Sequence, residues 1–179
     1  MELANCFKKA CIIALTVSSF AAANAQVDIT REYKIKAAYV YNLIKFVDWP
    51  DKLLADSTAP INICVYKINP FSNYLDRLTK KKAKGRPIGV IYVDNSLETV
   101  NCHVMFVSPA NKDLTDLFAQ SKNKPILMIG EGSVFLDQGG IIGLIIDNNS
   151  IQLEINLTQA KKVGLDINGN LLELAKSIR

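Results

Sequence analysis

Apolar residues recur at helical spacing between residues 31 and 49, with Ile35, Tyr39, Leu43 and Phe46 on one stripe. Thr30 stands where a hydroxyl can cap this helix, and Asp48-Trp49-Pro50 closes it, because the residue before a proline is driven out of helical geometry. The period then shortens. Residues 61–66, 87–93, 103–108 and 125–130 are β-rich runs, and 70–80, 96–100 and 111–121 between them read as helical connections. Strands that alternate with helical crossovers predict a mostly parallel sheet with helices on both faces.

The pattern changes after residue 140. The runs 141–146 and 151–155 are separated only by Asp147-Asn148-Asn149-Ser150, too short for a crossover, so they predict an antiparallel hairpin. Residues 156–164 read as a helix ending near Gly164, and 168–178 as a C-terminal amphipathic helix with Leu171, Leu174, Ala175 and Ile178 facing inward. The expected fold is a three-layer α/β sandwich: a mixed, mostly parallel sheet with a C-terminal antiparallel hairpin and helices on both faces. Gly139-Gly140 ends a helical turn where positive φ or close packing calls for glycine.

The opening of the chain is a different kind of segment. Lys8 and Lys9 precede an apolar run over 10–23 that ends in Ala23-Asn24-Ala25, the pattern of a secretory signal peptide cleaved after Ala25. The expected organisation is therefore a leader over 1–25 and a single domain over 26–179, exported and without membrane insertion. The run falls short of the ~20 residues that a membrane span needs.

Cleavage leaves Cys64 and Cys102 as the only cysteines, in a compartment where disulfides persist, so a bridge between them is expected; two buried free thiols are the alternative. The mature chain would carry 19 basic and 16 acidic residues, a net charge of +3, too mild for a nucleic-acid binder.

The chemical inventory is thin. A single histidine, His103, excludes metal sites built on several imidazoles, and with no G-x-S-x-G elbow it reads as structural. Gly130-Glu131-Gly132 follows a strand, but position 135 is Phe where a dinucleotide fingerprint needs its third glycine. No catalytic site, metal or cofactor is expected. The densest charge, Lys80-Lys81-Lys82-Ala83-Lys84-Gly85-Arg86, reads as the wet end of a helix, with anionic headgroups or an acidic partner as the alternative. Tyr33, Tyr39, Tyr41, Phe46 and Trp49 crowd the first helix beyond what a core requires, and such aromatics also suit interfaces.

Residues 33–50, YKIKAAYVYNLIKFVDWP, closely resemble the opening motif of the YfiR family of periplasmic regulators. Ile63-Cys64-Val65 resembles its first core strand, 130–140 its glycine-rich turn, and Glu154-Ile155-Asn156-Leu157 with Ala160, Gly164 and Leu171-Leu172 its closing segment. The resemblance implies a dimeric protein that binds the periplasmic sensor domain of an inner-membrane diguanylate cyclase and restrains it, lowering cyclic di-GMP and biofilm formation. It also implies that a YfiB-like outer-membrane lipoprotein relieves the restraint. Some members carry a second, later disulfide, for which this chain has no cysteine after Cys102.

Tyr41, Asn42, Lys45, Trp49, Glu154 and Asn156 lie within these motifs and are the expected partner- or ligand-binding residues. The alternative function is a small-ligand module, with its pocket near the first and last helices, feeding another membrane sensor such as a histidine kinase.

Overall fold

The computed structural model describes residues 30–148 and 150–179; the expected leader lies outside the described residues. Helix α1 (30–43) runs into a 3-10 turn (Ile44–Phe46) and a short strand β1 (Val47–Asp48). The main strands are β2 (Ile61–Tyr66), β3 (Lys82–Ala83), β4 (Arg86–Val93), β5 (Val104–Val107), β6 (Leu127–Glu131), β7 (Ile142–Asp147) and β8 (Ser150–Ile155). Near the C-terminus come β9 (Asp166–Ile167) and β10 (Ser177–Ile178). The remaining helices are α2 (Thr115–Ser121), α3 (Ser133–Asp137), α4 (Leu157–Lys162) and α5 (Gly169–Glu173).

Eight strands form one sheet in the order β10-β8-β7-β6-β5-β2-β4-β3, and β1 pairs with β9 in a separate two-stranded sheet. The centre, β4-β2-β5-β6-β7, is entirely parallel. The chain goes from β2 outward to β4, then crosses back to β5 on the other side, so strand order reverses between β2 and β5. This is the doubly wound arrangement with one switch point. The expected antiparallel hairpin is present, β7 against β8, with Ile142 opposite Ile155 and Asp147 opposite Ser150. Central strands buried on both faces are near-continuously apolar, and β5 (VMFV) is wholly buried.

Three expectations need correction. The C-terminal helix over 168–178 ends at Glu173; β10 follows, parallel to β8, with Ser177 opposite Glu154. The reason is the open edge of β8, whose Leu153 carbonyl accepts from Lys176 N–H at 2.7 Å and whose Ile155 carbonyl accepts from Arg179 N–H at 2.9 Å. Pairing an exposed edge satisfies backbone groups that a longer surface helix would leave to water. Leu171 is buried as expected, but Leu174 and Ile178 are exposed.

Residues 70–80, expected as a helix, form turns and a 3-10 helix over Asp76–Lys80. Asn69 explains the difference: its side chain accepts from Phe71 N–H and donates to the Ser72 carbonyl, a local turn that competes with helix.

The lysine run is not only the end of a helix. After the 3-10 turn it forms the β3-β4 hairpin, closed by Lys84 and Gly85 at φ of 51° and 77°. Arg86 is used internally, donating to the backbone carbonyls of Leu54, Asp56 and Ala59.

The glycine pair behaves as expected. Gly139 has φ +113°, and a Cβ on Gly140 would stand 2.3 Å from the Phe135 ring and 2.8 Å from its carbonyl oxygen.

Cys64 and Cys102 are disulfide-bonded, tying the central strand β2 to the entry of its neighbour β5. Beside the bridge, His103 Nδ1 accepts from Asn62 N–H at 3.1 Å, which requires that nitrogen unprotonated. The His103 carbonyl accepts from the Trp49 indole at 3.2 Å. Burial, the largest cause, holds the imidazole pKa below its ordinary 6.5. The linkage sign follows: the unfolded chain takes up the proton first, so full stability holds above about pH 6.5 and declines as the pH falls below it toward the folded-state value. Denaturant midpoints measured between roughly pH 7 and 5 should fall in the wild type and flatten in His103→Asn, whereas parallel profiles would contradict this role.

Candidate functional site

Helix α1 positions two features, one on each face. Its buried stripe is Ala37, Val40, Leu43 and Ile44, continued by Val47, and not the expected Ile35, Tyr39 and Phe46. What disguised it is Lys36, in the middle of the inward face and fully buried. A lysine there needs a counter-charge, and it has two: Glu32 one helical turn back and Glu131 at the carboxyl end of β6. Tyr33 completes the cluster, donating to Glu131 Oε1 at 2.9 Å while the Lys36 ammonium lies 4.6 Å from its ring centre. Burial first, and the Glu131 carboxylate second, push the Tyr33 hydroxyl pKa well above the ordinary tyrosine value.

This cluster lies at the carboxyl ends of the parallel strands, where open α/β sheets hold ligands. A cavity of about 170 Å³ adjoins it, lined by Val107, Ser108, Asn111, Leu114, Glu131 and Phe135 among others. The switch point itself is plugged: Phe71 is fully buried and packs edge-on against both Tyr33 and Phe106.

The displaced apolar stripe of α1 faces outward over a larger groove of about 420 Å³. Ile35, Tyr39 and Phe46 form one wall; Leu153, Leu171 and Leu174 form the other, with Asn42 and Lys45 also lining it. Ile35 is 43% and Leu174 66% exposed, a large apolar surface left open among the described residues. Tyr39 is tied to the sheet through its hydroxyl, which donates to the Ile151 carbonyl at 3.2 Å.

The structure distributes the sequence-predicted site residues unevenly. Asn42 and Lys45 sit together in the groove, joined by a 2.9 Å hydrogen bond from the ammonium to the amide oxygen. Tyr41 lies on the adjoining face, donating to the Lys82 carbonyl at 2.8 Å, with Lys45 over its ring at 4.5 Å. Trp49 is buried and held by His103. Asn156 caps α4 through Gln159 N–H, and Glu154 faces Arg179 at 3.7 Å.

Lys36 and Glu131 escaped the sequence reading. Their only signal was a lysine inside a helical apolar pattern and an acid between two glycines at a strand end. Among the described residues, no group of three or more His, Cys, Asp and Glu is placed to hold a metal, and no helix is long and apolar enough to cross a membrane.

The molecule is thus a doubly wound α/β protein with an open apolar groove at the corner where its first helix meets its C-terminal elements. The YfiR/HmsC-like family model matches residues 33–176, nearly all of the described chain, and the protein belongs to that family. The family consists of periplasmic regulators of diguanylate cyclase signalling and not of known enzymes. A looser likeness in fold is to the ABC domain from Streptococcus pneumonia solved in complex with L-Trp. The TM-score is 0.44 at 14% identity, and the match covers 66% of this chain and 55% of that one.

Proposed function

We propose that this protein is an exported regulator that binds the periplasmic sensor domain of an inner-membrane diguanylate cyclase through the α1 groove and restrains its output. Family membership supports the signalling context, and the exposed groove is the observation that supports this face as the contact. A regulator of this kind needs no reacting groups. It shifts the cyclase only by binding its inactive state more tightly than its active one. The groove offers an apolar centre with Asn42 and Lys45 beside it, the distribution that gives an interface both affinity and register. A homodimer and release by a YfiB-like lipoprotein belong to the same reading.

Leu174→Asp and Ile35→Asp test it, because both side chains are exposed and neither change opens a cavity. Each should weaken capture of the detergent-solubilised cyclase by at least tenfold, as for a central contact worth more than ~1.4 kcal/mol, with melting temperature unchanged. In cells lacking the chromosomal copy, the variants should fail to lower cyclic di-GMP. Full repression by both variants would remove the groove from the interface.

A further inference from the structure

We infer that the β3-β4 hairpin, with the neighbouring end of α1, is a docking surface for an anionic lipid bilayer. This goes beyond the contact proposed above and does not depend on what occupies the groove.

The described fold gathers basic residues at this one edge of the sheet. Lys80 at the end of the 3-10 helix and Lys81, Lys82 and Lys84 at the hairpin are all exposed, and only Lys84 has a carboxylate partner among the described residues, Asp48. Tyr41 draws α1 into the same patch. Its hydroxyl binds the hairpin backbone at Lys82, while its ring carries the Lys45 ammonium at 4.5 Å and the Lys81 ammonium at 5.6 Å from its centre. Both ammoniums therefore stand within about 10 Å of each other, about one screening length at ~0.1 M salt, where like charges still repel. A fold that only had to stay soluble would have no cause to gather them. Lysine at a sheet edge also blocks edge-to-edge pairing, but one such charge suffices for that purpose. Asp76, the acid nearest in sequence, is occupied by the Tyr92 hydroxyl.

The residue type favours a bilayer over an acidic protein. Lysine can pair with a single carboxylate, as Lys84 does with Asp48, but planar bidentate recognition of carboxylates belongs to arginine, and the one arginine in the hairpin, Arg86, is spent on backbone carbonyls. What remains is a cluster of flexible, strongly hydrated point charges, which suits a diffuse field of phosphates. For a regulator of a membrane-embedded enzyme, such a surface would hold the chain against the plane where its partner sits.

The test is sedimentation of the mature protein with vesicles of phosphatidylethanolamine and phosphatidylglycerol, and with phosphatidylcholine vesicles as the neutral control. Association with the anionic vesicles only is expected, lost when salt is raised from ~0.1 M to ~1 M. The triple variant Lys80→Gln/Lys81→Gln/Lys82→Gln should bind on the order of 100-fold more weakly, taking about fivefold per lysine. The fully arginine-substituted version should bind like the wild type. Leu174→Asp should leave vesicle binding intact, so failure of the groove reading and of this one are separable. Equal binding to neutral vesicles, or an unaffected triple variant, would overturn the inference. So would lysine-dependent capture of the solubilised cyclase without any vesicle binding, which would assign the patch to an acidic protein surface.

Discussion

Glu131→Ala is expected to destabilise the fold by about 3–5 kcal/mol, the cost of removing one partner from a buried ion pair. Lys36 is fully buried, and among the described residues its ammonium has Glu32 and Glu131 as counter-charges. Without Glu131 it keeps Glu32, the more exposed of the two carboxylates, and Tyr33 loses the acceptor for its part-buried hydroxyl. Tilting α1 to hydrate the lysine would uncover Val40 and Ile44, so water cannot relieve the strain cheaply.

The control is the double variant Lys36→Met/Glu131→Leu, which removes both charges and fills the space. Replacing an entire buried pair by apolar groups is often near neutral, so the double should recover most of the loss. Urea unfolding of the wild type, Lys36→Met, Glu131→Leu and the double variant closes the cycle. Additive losses, with no coupling between the positions, would show that the pair does not hold α1 to the sheet.

The same pair marks the limit of what the chain discloses before it folds. The parallel core was legible because β2, β5 and β6 are largely buried on both faces and therefore written as near-continuous apolar runs. The β7-β8 hairpin was legible because a four-residue polar gap admits nothing else. Local signals failed where a distant partner decides the outcome. Lys36 reads as a surface residue until Glu131, 95 positions away, supplies its counter-charge, and that single misreading turned the apolar stripe of α1 by one position. Likewise Leu174 and Ile178 fit a helical face, yet the unpaired edge of β8 draws the segment into a strand.

The groove inherits this ambiguity. Its residues were visible as an aromatic-rich stripe, but placing them outside the core required knowing which side of α1 carries the buried charge. Asn42 and Lys45 of the family-like motif meet in the groove, whereas Asn156 caps α4 and Glu154 faces Arg179.

The second large effect concerns the disulfide. Cys64 lies on the central strand β2, opposite Ile91 on one side and Met105 on the other, and Cys102 is the residue that turns the chain into β5. The bridge closes a loop of 38 residues that contains β3, β4 and the crossover back over the sheet, which is the segment responsible for the change of winding direction. In the chain-entropy model, opening a loop of this size costs about 4 kcal/mol, mainly by releasing the unfolded state. For a domain of roughly 150 residues that corresponds to a fall in melting temperature of about 8–16 °C. Cys64→Ala/Cys102→Ala should show this loss, and the wild type under reducing conditions should show most of it, since both sulfurs are buried and leave no cavity when reduced in place. The reduced wild type should therefore lie slightly above the double alanine variant, which also gives up two buried sulfur atoms. A melting temperature unchanged by both treatments would mean that the crossover is held by the parallel pairing of β4 and β5 with β2 alone.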